Sequence, residues 1–143
     1  MPSYHDSPSE TMLCALDIAA QTASAGVNGT ALDMQGWDGI LYVFNLGAMA
    51  SGATFDARIM GAANSNFNVN SNITNASITQ LTNASNTNTV MIDVWRPTNR
   101  YVKSVTTPAT ANSTFSSVAI RYRGSGVFPL TQTAVQLVKV QAN

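Results

Sequence analysis

Apolar and polar residues alternate along much of the chain, and this pattern predicts a series of short β-strands. The clearest alternation runs from Thr54 to Met60, where the apolar side chains share one face. Because successive side chains of a strand point to opposite faces, this run predicts a strand with one face in the core. The run Ile40 to Leu46 is apolar on both faces apart from one Asn, which predicts a central strand covered on both sides. Residues 47–53, which include Gly and Ser, join the two strands, and we expect a hairpin.

A second group of predicted strands is less regular. Met12 to Ala20 favours a strand over a short helix. Alternation would place four of its side chains on one face: Met12, Cys14, Ile18 and Ala20. Asn64 to Thr74 has Asn at every second position, which fits a strand with an amide face or, because Asn has poor strand propensity, a long ordered loop. The other predicted strands are, in chain order, Ala31–Met34, Ala76–Leu81, Val90–Trp95 and, with a bulge or a switch of sheet, Val127–Val140.

The stretch from Trp95 to Tyr122 predicts two strands, with a turn before them and a loop between them. Pro97 fixes its own φ and keeps Arg96 out of the helical region, so residues 96–99 indicate a turn. A strand follows from Arg100 to Thr107, and residues 108–113 break it. The second strand begins at Phe115, with Val118, Ile120 and Tyr122 on one face.

Taken together, about eight strands with short connections and no long helix predict an all-β fold, an antiparallel jelly-roll β-sandwich. The chain has 143 residues, which fits one domain. Residues 1–11 are polar, contain two prolines and show no periodicity, so we expect an extended N-terminal arm. The sandwich domain is then predicted to span residues 12–143.

The charge content limits the classes of partner. Only 10% of the residues are charged, where globular proteins average about 25%, and the formal net charge is zero. Binding to nucleic acid without sequence preference needs clustered Lys and Arg, so we expect no nucleic-acid partner. A surface poor in charge favours lasting polar and apolar contacts, and we expect a homo-oligomer, a dimer rather than a trimer.

The residues needed for catalysis or for metal binding are scarce. The one histidine, His5, lies in the predicted arm, and the seven carboxylates are scattered along the chain. We therefore expect no enzyme, no cofactor and no metal site. Cys14 is the only cysteine, which excludes an intrachain disulfide, and we expect it to be a buried core thiol. No apolar run is long enough to span a membrane, and the N-terminus lacks the features of a signal peptide, so we expect synthesis in the cytoplasm.

Several short motifs resemble a known family. They are an Arg-Pro turn at Arg96, Arg-Tyr-Val from Arg100, Val-Ala-Ile-Arg-Tyr from Val118, and upstream Asp38 to Phe44 with Leu46-Gly47-Ala48. Over roughly residues 37–122 the chain resembles the small decoration or cement proteins of tailed-bacteriophage capsids. The resemblance implies a jelly-roll subunit in the virion, on the outer surface of the capsid, where it binds the lattice of the major capsid protein and stabilises the head.

The candidate contacts with such a partner are Tyr4, His5, Trp95, Arg96 and Arg100. Tyr4 and His5 lie in the predicted arm, and the other three begin the Trp95 to Tyr122 stretch. The alternative from another class is a carbohydrate-binding jelly roll of a phage tail or fibre. In that case Trp37 and Trp95 would offer rings for stacking on sugars, although core or interface positions are the commoner role of such residues.

Overall fold

The computed structural model describes residues 7–125 and 131–132. Within them the chain forms ten strands, one short helix and a 3-10 helical turn at Asn83–Ser85. The helix is α1 (Pro8–Thr11), and the strands are β1 (Leu13–Ala23), β2 (Val27–Asn28), β3 (Leu32–Asp33), β4 (Trp37–Met49), β5 (Thr54–Ala62), β6 (Asn70–Ser77), β7 (Leu81–Thr82), β8 (Thr89–Trp95), β9 (Tyr101–Ala109) and β10 (Ser113–Gly124).

The strands form two antiparallel sheets. Sheet A has the order β1-β10-β4-β8, and sheet B has the order β2-β9-β5-β6, with β3 pairing with β9 and β7 pairing with β5. The first and last of these strands, β1 and β10, therefore lie side by side in sheet A. The predicted antiparallel β-sandwich is confirmed, and the jelly-roll path remains the finer prediction.

The central strand β4 supplies much of the core between the sheets. Its inward side chains include Ile40, Tyr42 and Phe44, each fully buried. The ring centroids of Tyr42 and Phe44 are 6.3 Å apart, and those of Phe44 and Phe55 are 6.4 Å apart. Phe55 in turn contacts Phe115 at 5.1 Å. This row of aromatic contacts joins β4 and β10 of sheet A to β5 of sheet B.

The hairpin predicted for the runs Ile40 to Leu46 and Thr54 to Met60, which are β4 and β5, is wrong. β4 pairs with β10 and β8, whereas β5 pairs with β9 in the other sheet. The connection at residues 50–53 therefore crosses from one sheet to the other. Ala53 in this connection is fully buried, so the connection packs against the core as it passes between the sheets.

A buried carboxylate lies among the polar side chains of the core. Asp17 is 6% exposed and accepts hydrogen bonds at Oδ2 from Ser104 Oγ (2.5 Å) and Ser117 Oγ (2.7 Å), and at Oδ1 from the backbone N of Thr30 (3.1 Å). These donors belong to β9, β10 and the segment between β2 and β3. Burial raises the pKa of Asp17 above its usual 3.8, although the three hydrogen bonds act in the opposite direction. The network therefore ties the two sheets together at one point.

Asp17 also explains an error in the predicted faces of β1. The register of β1 against β10 shifts between Leu16 and Ile18, so that Asp17 and Ile18 are both buried while Cys14 is exposed. The predicted face that joined Cys14 to Ile18 is wrong, and so is the burial predicted for Cys14. A bulge of one residue is enough to exchange the faces of a strand.

The Asn-rich segment is partly a loop and partly a strand. Residues 63–69 form an irregular loop, and only residues from Asn70 onward join β6. Phe67 has φ 54° and is 6% exposed, with the Lys103 amine 4.5 Å from its ring centroid, so this side chain fixes the loop on sheet B. The predicted strand Ala76–Leu81 corresponds to the end of β6 and to β7, with a gap between them.

Three further predictions concern the strand limits and the ends of the chain. Pro108 lies within β9, opposite Phe55, rather than in the predicted break. On the other side of β9 the pairing with β2 extends only to Thr106, so no strand there needs a backbone N–H from residue 108. Residues 8–11 of the predicted extended arm form α1 instead. Residues 1–6, and nearly all of the predicted strand Val127–Val140, lie outside the described residues.

Candidate partner-binding surface

Three strand ends of sheet A meet at one end of the sandwich. Gly39, near the start of β4, pairs with Tyr122 of β10 on one side and with Trp95 of β8 on the other. A Cβ atom at Gly39 would overlap the ring of Tyr122, so the phenol ring lies flat against the backbone there. Because glycine leaves this space open, Tyr122 can extend sideways to Trp95 across the strand between them.

Trp95 is the centre of a group of stacked side chains. Its ring is 6.0 Å from that of Tyr122 and nearly parallel to it, with an interplanar angle of 18°. The guanidinium carbons of Arg96 and Arg123 lie 5.3 Å and 5.2 Å from the centroid of Trp95. These distances fit cation-π contacts. We refer to Trp95, Arg96, Tyr122 and Arg123 as the Trp95 cluster.

The two arginines of the cluster have unusual backbone conformations. Arg96 has φ 49° and Arg123 has φ 51°, values in the left-handed region that residues other than glycine rarely adopt. The backbone N of Arg96 donates to the carbonyl O of Asp38 at 2.7 Å, which holds this conformation. A residue in this conformation persists only where the surrounding structure maintains it.

Tyr122 is held by a carboxylate as well as by the stacking. Its hydroxyl donates to Asp93 Oδ1 at 2.5 Å. Burial, together with the bond to Asp93, raises the pKa of Tyr122 to about 12. Tyr122 is therefore neutral across the physiological range, and its ring keeps a fixed orientation beneath Trp95.

The Trp95 cluster forms a ridge between two depressions. One has a volume of about 630 Å³ and is lined by Thr11, Met12, Asp38, Tyr122, Arg123 and Gly124. The other has a volume of about 390 Å³ and is lined by residues 71–74 and 94–99. Trp95 is 47% exposed despite its contacts. A partner that surrounds the ridge can therefore remove a large aromatic surface from water.

Of the residues predicted as partner contacts, Trp95 and Arg96 belong to this cluster, whereas Arg100 does not. The Arg100 guanidinium donates from Nε (3.1 Å) and Nη2 (2.8 Å) to the carboxylate of Asp33. That bond, with a backbone hydrogen bond from Gln35, lowers the pKa of Asp33 to about 2. Arg100, the residue before β9, thus forms an ion pair with β3 that neutralises its charge locally. Tyr4 and His5 lie outside the described residues.

Sequence reasoning missed Tyr122 and Arg123 as members of the site. In the sequence Tyr122 is only a strand position that shares a face with Val118 and Ile120, because the contacts of Tyr122 and Arg123 with Trp95 depend on the register of β10, β4 and β8. Trp37 is in a different environment from Trp95. It is half-buried, and the guanidinium of Arg121 lies 5.5 Å from its ring centroid.

The described residues hold no group of three or more His, Cys, Asp or Glu side chains that could bind a metal ion. In the same part of the chain, no helix has the length and the apolar character needed to cross a membrane.

Comparisons with known proteins identify the fold. No family model matches the chain, and no curated protein matches it. Among solved structures, the PBSX exported protein XepA aligns with a TM-score of 0.60 at 10% identity, over 95% of this chain and 45% of that one. The chain thus spans less than half the length of XepA. At this identity the likeness shows the fold alone.

Two other structures align less well. A pilus protein of Bacillus endospore appendages gives a TM-score of 0.46 at 13% identity, over 80% of this chain and 90% of that one. The CBM22-1 and GH10 modules of xylanase 10B from Clostridium thermocellum, complexed with xylohexaose, give 0.49 at 14% identity, over 90% of this chain and 29% of that one. Neither alignment bears on what this chain binds.

Proposed function

We propose that the protein is a non-enzymatic structural protein of a phage head, a capsid decoration or cement protein that binds the outer surface of the major capsid protein lattice. The observation that carries the proposal is the exposed Trp95 cluster. Trp, Tyr and Arg dominate the few residues that supply most of the binding energy at protein interfaces. Here all three types are held in fixed positions beside two depressions.

The phage setting of the proposal comes from the resemblance in the stretch from Trp95 to Tyr122. The fold shared with XepA supports the sandwich on which that resemblance depends.

These residues fit attachment through contact area rather than through long-range electrostatic attraction. Electrostatic attraction is screened within about 8–10 Å at ordinary ionic strength. Arg100 is already neutralised by Asp33, and Arg96 and Arg123 are stacked on Trp95. An oligomer that engages several capsid subunits makes each further contact intramolecular, which multiplies weak contacts into firm attachment.

A carbohydrate-binding module of a phage tail or fibre is the second candidate, favoured by the exposed ring of Trp95. Sugars stack on an open aromatic face, whereas two guanidinium groups and the Tyr122 ring lie against Trp95. A sugar would have to displace at least one of these groups. The geometry therefore fits a protein partner better.

The test is co-sedimentation of the purified protein with assembled phage heads that lack it. We expect binding to assembled heads, much weaker binding to isolated capsid protein, and no binding to a panel of glycans. Replacing Trp95 with Ala should weaken attachment by about 30-fold, the equivalent of about 2 kcal/mol at a residue of this kind. Val69→Ala is the matched control, because Val69 is a large apolar residue that is 80% exposed and outside the cluster. Glycan binding without head binding would contradict the proposal.

A further inference from the structure

The open edge of β1 is bonded by a side chain from far along the sequence. β1 is an edge strand of sheet A, and within the described part of the chain it pairs only with β10. On the other side of β1, the carboxamide of Gln132 accepts a hydrogen bond from the backbone N of Cys14 at 3.2 Å and donates to the carbonyl O of Met12 at 2.5 Å. Gln132 also donates to the carbonyl O of Ser9 at 2.8 Å. These bonds fix Gln132 at the start of β1.

The bonds of Gln132 imitate those of a neighbouring strand. A side-chain amide carries the same N–H and C=O groups as a peptide unit. Here they reach the C=O of Met12 and the N–H of Cys14, which lie on either side of Leu13 and face the open edge. One residue of a parallel strand makes the same two bonds to the strand beside it. The carboxamide therefore occupies the place of the first peptide unit of an added strand.

The residues that follow Gln132 are long enough to pair along this edge. Residues 133–143 lie outside the described residues. At about 3.3 Å each, these eleven residues span up to about 36 Å, against about 30 Å for the stretch from Ala15 to Ala23. β1 begins at Leu13, so only a segment that runs toward Ala23 has a strand to pair with.

The outward faces of the two sheets differ in polarity. On sheet A, Cα pairing places four apolar side chains in one row across the strands: Leu16, Val118, Val43 and Met91. On sheet B, Gln80 donates to Asp56 at 2.8 Å, and Arg58 donates to Asn72 at 3.1 Å, so the outward side of β5 is polar. All the described strands belong to these two sheets, so none of them covers the outer side of β4 as predicted.

The sequence of residues 133–143 suits sheet A rather than sheet B. In an extended chain Val135 and Leu137 share one face, and Val138 and Val140 share the other. The segment contains no Pro and no Gly, the residues that weaken a strand. Apolar side chains on both faces fit a sheet whose outward face is apolar as well as its inward face.

We propose that residues 133–143 continue from Gln132 along the open edge of β1, as a fifth strand of sheet A that runs parallel to β1. One set of apolar side chains then lies beside Leu16 on the outward face, and the other lies beside the edge of the core. The added strand occupies backbone groups that an edge strand otherwise offers to other chains. The proposal is independent of attachment to a capsid. It leaves Trp95 accessible, because β8 is at the opposite edge of the sheet.

The experiment is disulfide cross-linking to Cys14, the only cysteine, which is exposed and lies beside Gln132. Three full-chain variants each carry one new cysteine, Thr133→Cys, Ala134→Cys or Val135→Cys, because three consecutive positions cover the possible registers. A disulfide requires the two Cα atoms to lie within about 7 Å of each other. We expect one of the three variants to form an intramolecular disulfide on mild oxidation at low protein concentration, measured by mass spectrometry.

Ala142→Cys is the matched control for the position of the segment. In the proposed strand, residue 142 lies about 23 Å or more beyond residues 133–135. Its yield of intramolecular disulfide should therefore be about tenfold lower than that of the best near variant. A tail that is tethered but not paired with β1 would cross-link from both positions.

Gln132→Glu tests the anchor itself. The substitution keeps the size of the side chain but replaces its amide donor by an oxygen, which would face the carbonyl O atoms of Met12 and Ser9. Combined with the best near variant, it should lower the disulfide yield about threefold or more, since two hydrogen bonds are lost. Gln35→Glu, at an exposed position away from β1, is the control and should leave the yield unchanged.

Four results would overturn the proposal. The first is equal disulfide yields at the near positions and at residue 142, and the second is no disulfide from any near variant. The third is a disulfide between two molecules, which would place the segment of a second copy on β1. The fourth is an unchanged yield in Gln132→Glu. Cross-linking as expected in a protein that fails to bind phage heads would support this proposal and contradict only the proposed function.

Discussion

Replacing Asp17 with Ala should lower the free energy of unfolding by about 3 kcal/mol at pH 7. The substitution leaves three donors without their acceptor, namely the buried hydroxyls of Ser104 and Ser117 and the part-buried backbone N–H of Thr30. A net loss of about 1 kcal/mol for each hydrogen bond gives the total. The measurement is urea unfolding followed by tryptophan fluorescence.

The pH dependence gives this prediction a definite sign. Because burial raises the pKa of Asp17 in the folded state, the folded protein holds this proton more tightly than the unfolded chain does. The stability that Asp17 contributes by protonation is complete below its usual pKa of 3.8 and is lost as pH rises through the folded-state value. Asp17→Asn carries no titrating proton, so stability of the parent chain should fall relative to this variant as pH rises from about 3.8.

The comparison with Asp17→Asn also removes the contribution of Asp33. The pKa of Asp33 is lowered to about 2, so its contribution is present above 3.8 and is lost as pH falls toward 2, equally in both proteins. Asp56→Ala, on the outward face of sheet B, is the control and should change stability by less than about 0.5 kcal/mol. A loss below about 1 kcal/mol for Asp17→Ala would refute this reasoning. So would a parent chain that becomes more stable, relative to Asp17→Asn, as pH rises from about 3.8.

Three further predictions test other parts of the structure. Phe44→Ala should cost about 3–5 kcal/mol in urea unfolding, since the side chain is fully buried in the central strand; a loss below about 1 kcal/mol would remove β4 from the centre of the core. On purified heads, raising salt from about 0.05 to 0.5 M should leave occupancy nearly unchanged; release by salt would mean that the charges of Arg96 and Arg123, rather than contact area around Trp95, hold the protein on the head. Deleting residues 1–10 should preserve the unfolding midpoint of the sandwich and weaken head attachment, through loss of Tyr4 and His5; full attachment would make the arm irrelevant.

The parts of the fold that depend on local alternation were predictable. β5 and β8 follow the expected pattern, with Phe55 and Ile92 inward and Met91 outward. Other features depend on packing between distant segments, and no local pattern records them. The bulge at Asp17 is one example, since it follows from the donors that Ser104 and Ser117 bring from β9 and β10.

Polar residues in the core were the main obstacle. Ser104, Thr106, Ser113 and Ser117 are all buried, although a search for apolar periodicity counts them as outward positions. In the candidate site, too, only contacts between neighbours in sequence could be predicted. Trp95 and Arg96 are neighbours in sequence and were predicted together, whereas Tyr122 reaches them only through the pairing of three strands. The ion pair of Arg100 with Asp33 could not be foreseen in the same way, because the two residues lie 67 positions apart.

A cryo-EM map of the assembled phage head is the most direct test of the proposed function. We expect the sandwich to lie on the outer surface of the shell, with the Trp95 cluster in contact with a capsid subunit and the polar face of sheet B toward solvent. A map that places the chain in the tail or inside the shell would contradict the proposed function. So would a map that places it on the shell with Trp95 facing solvent.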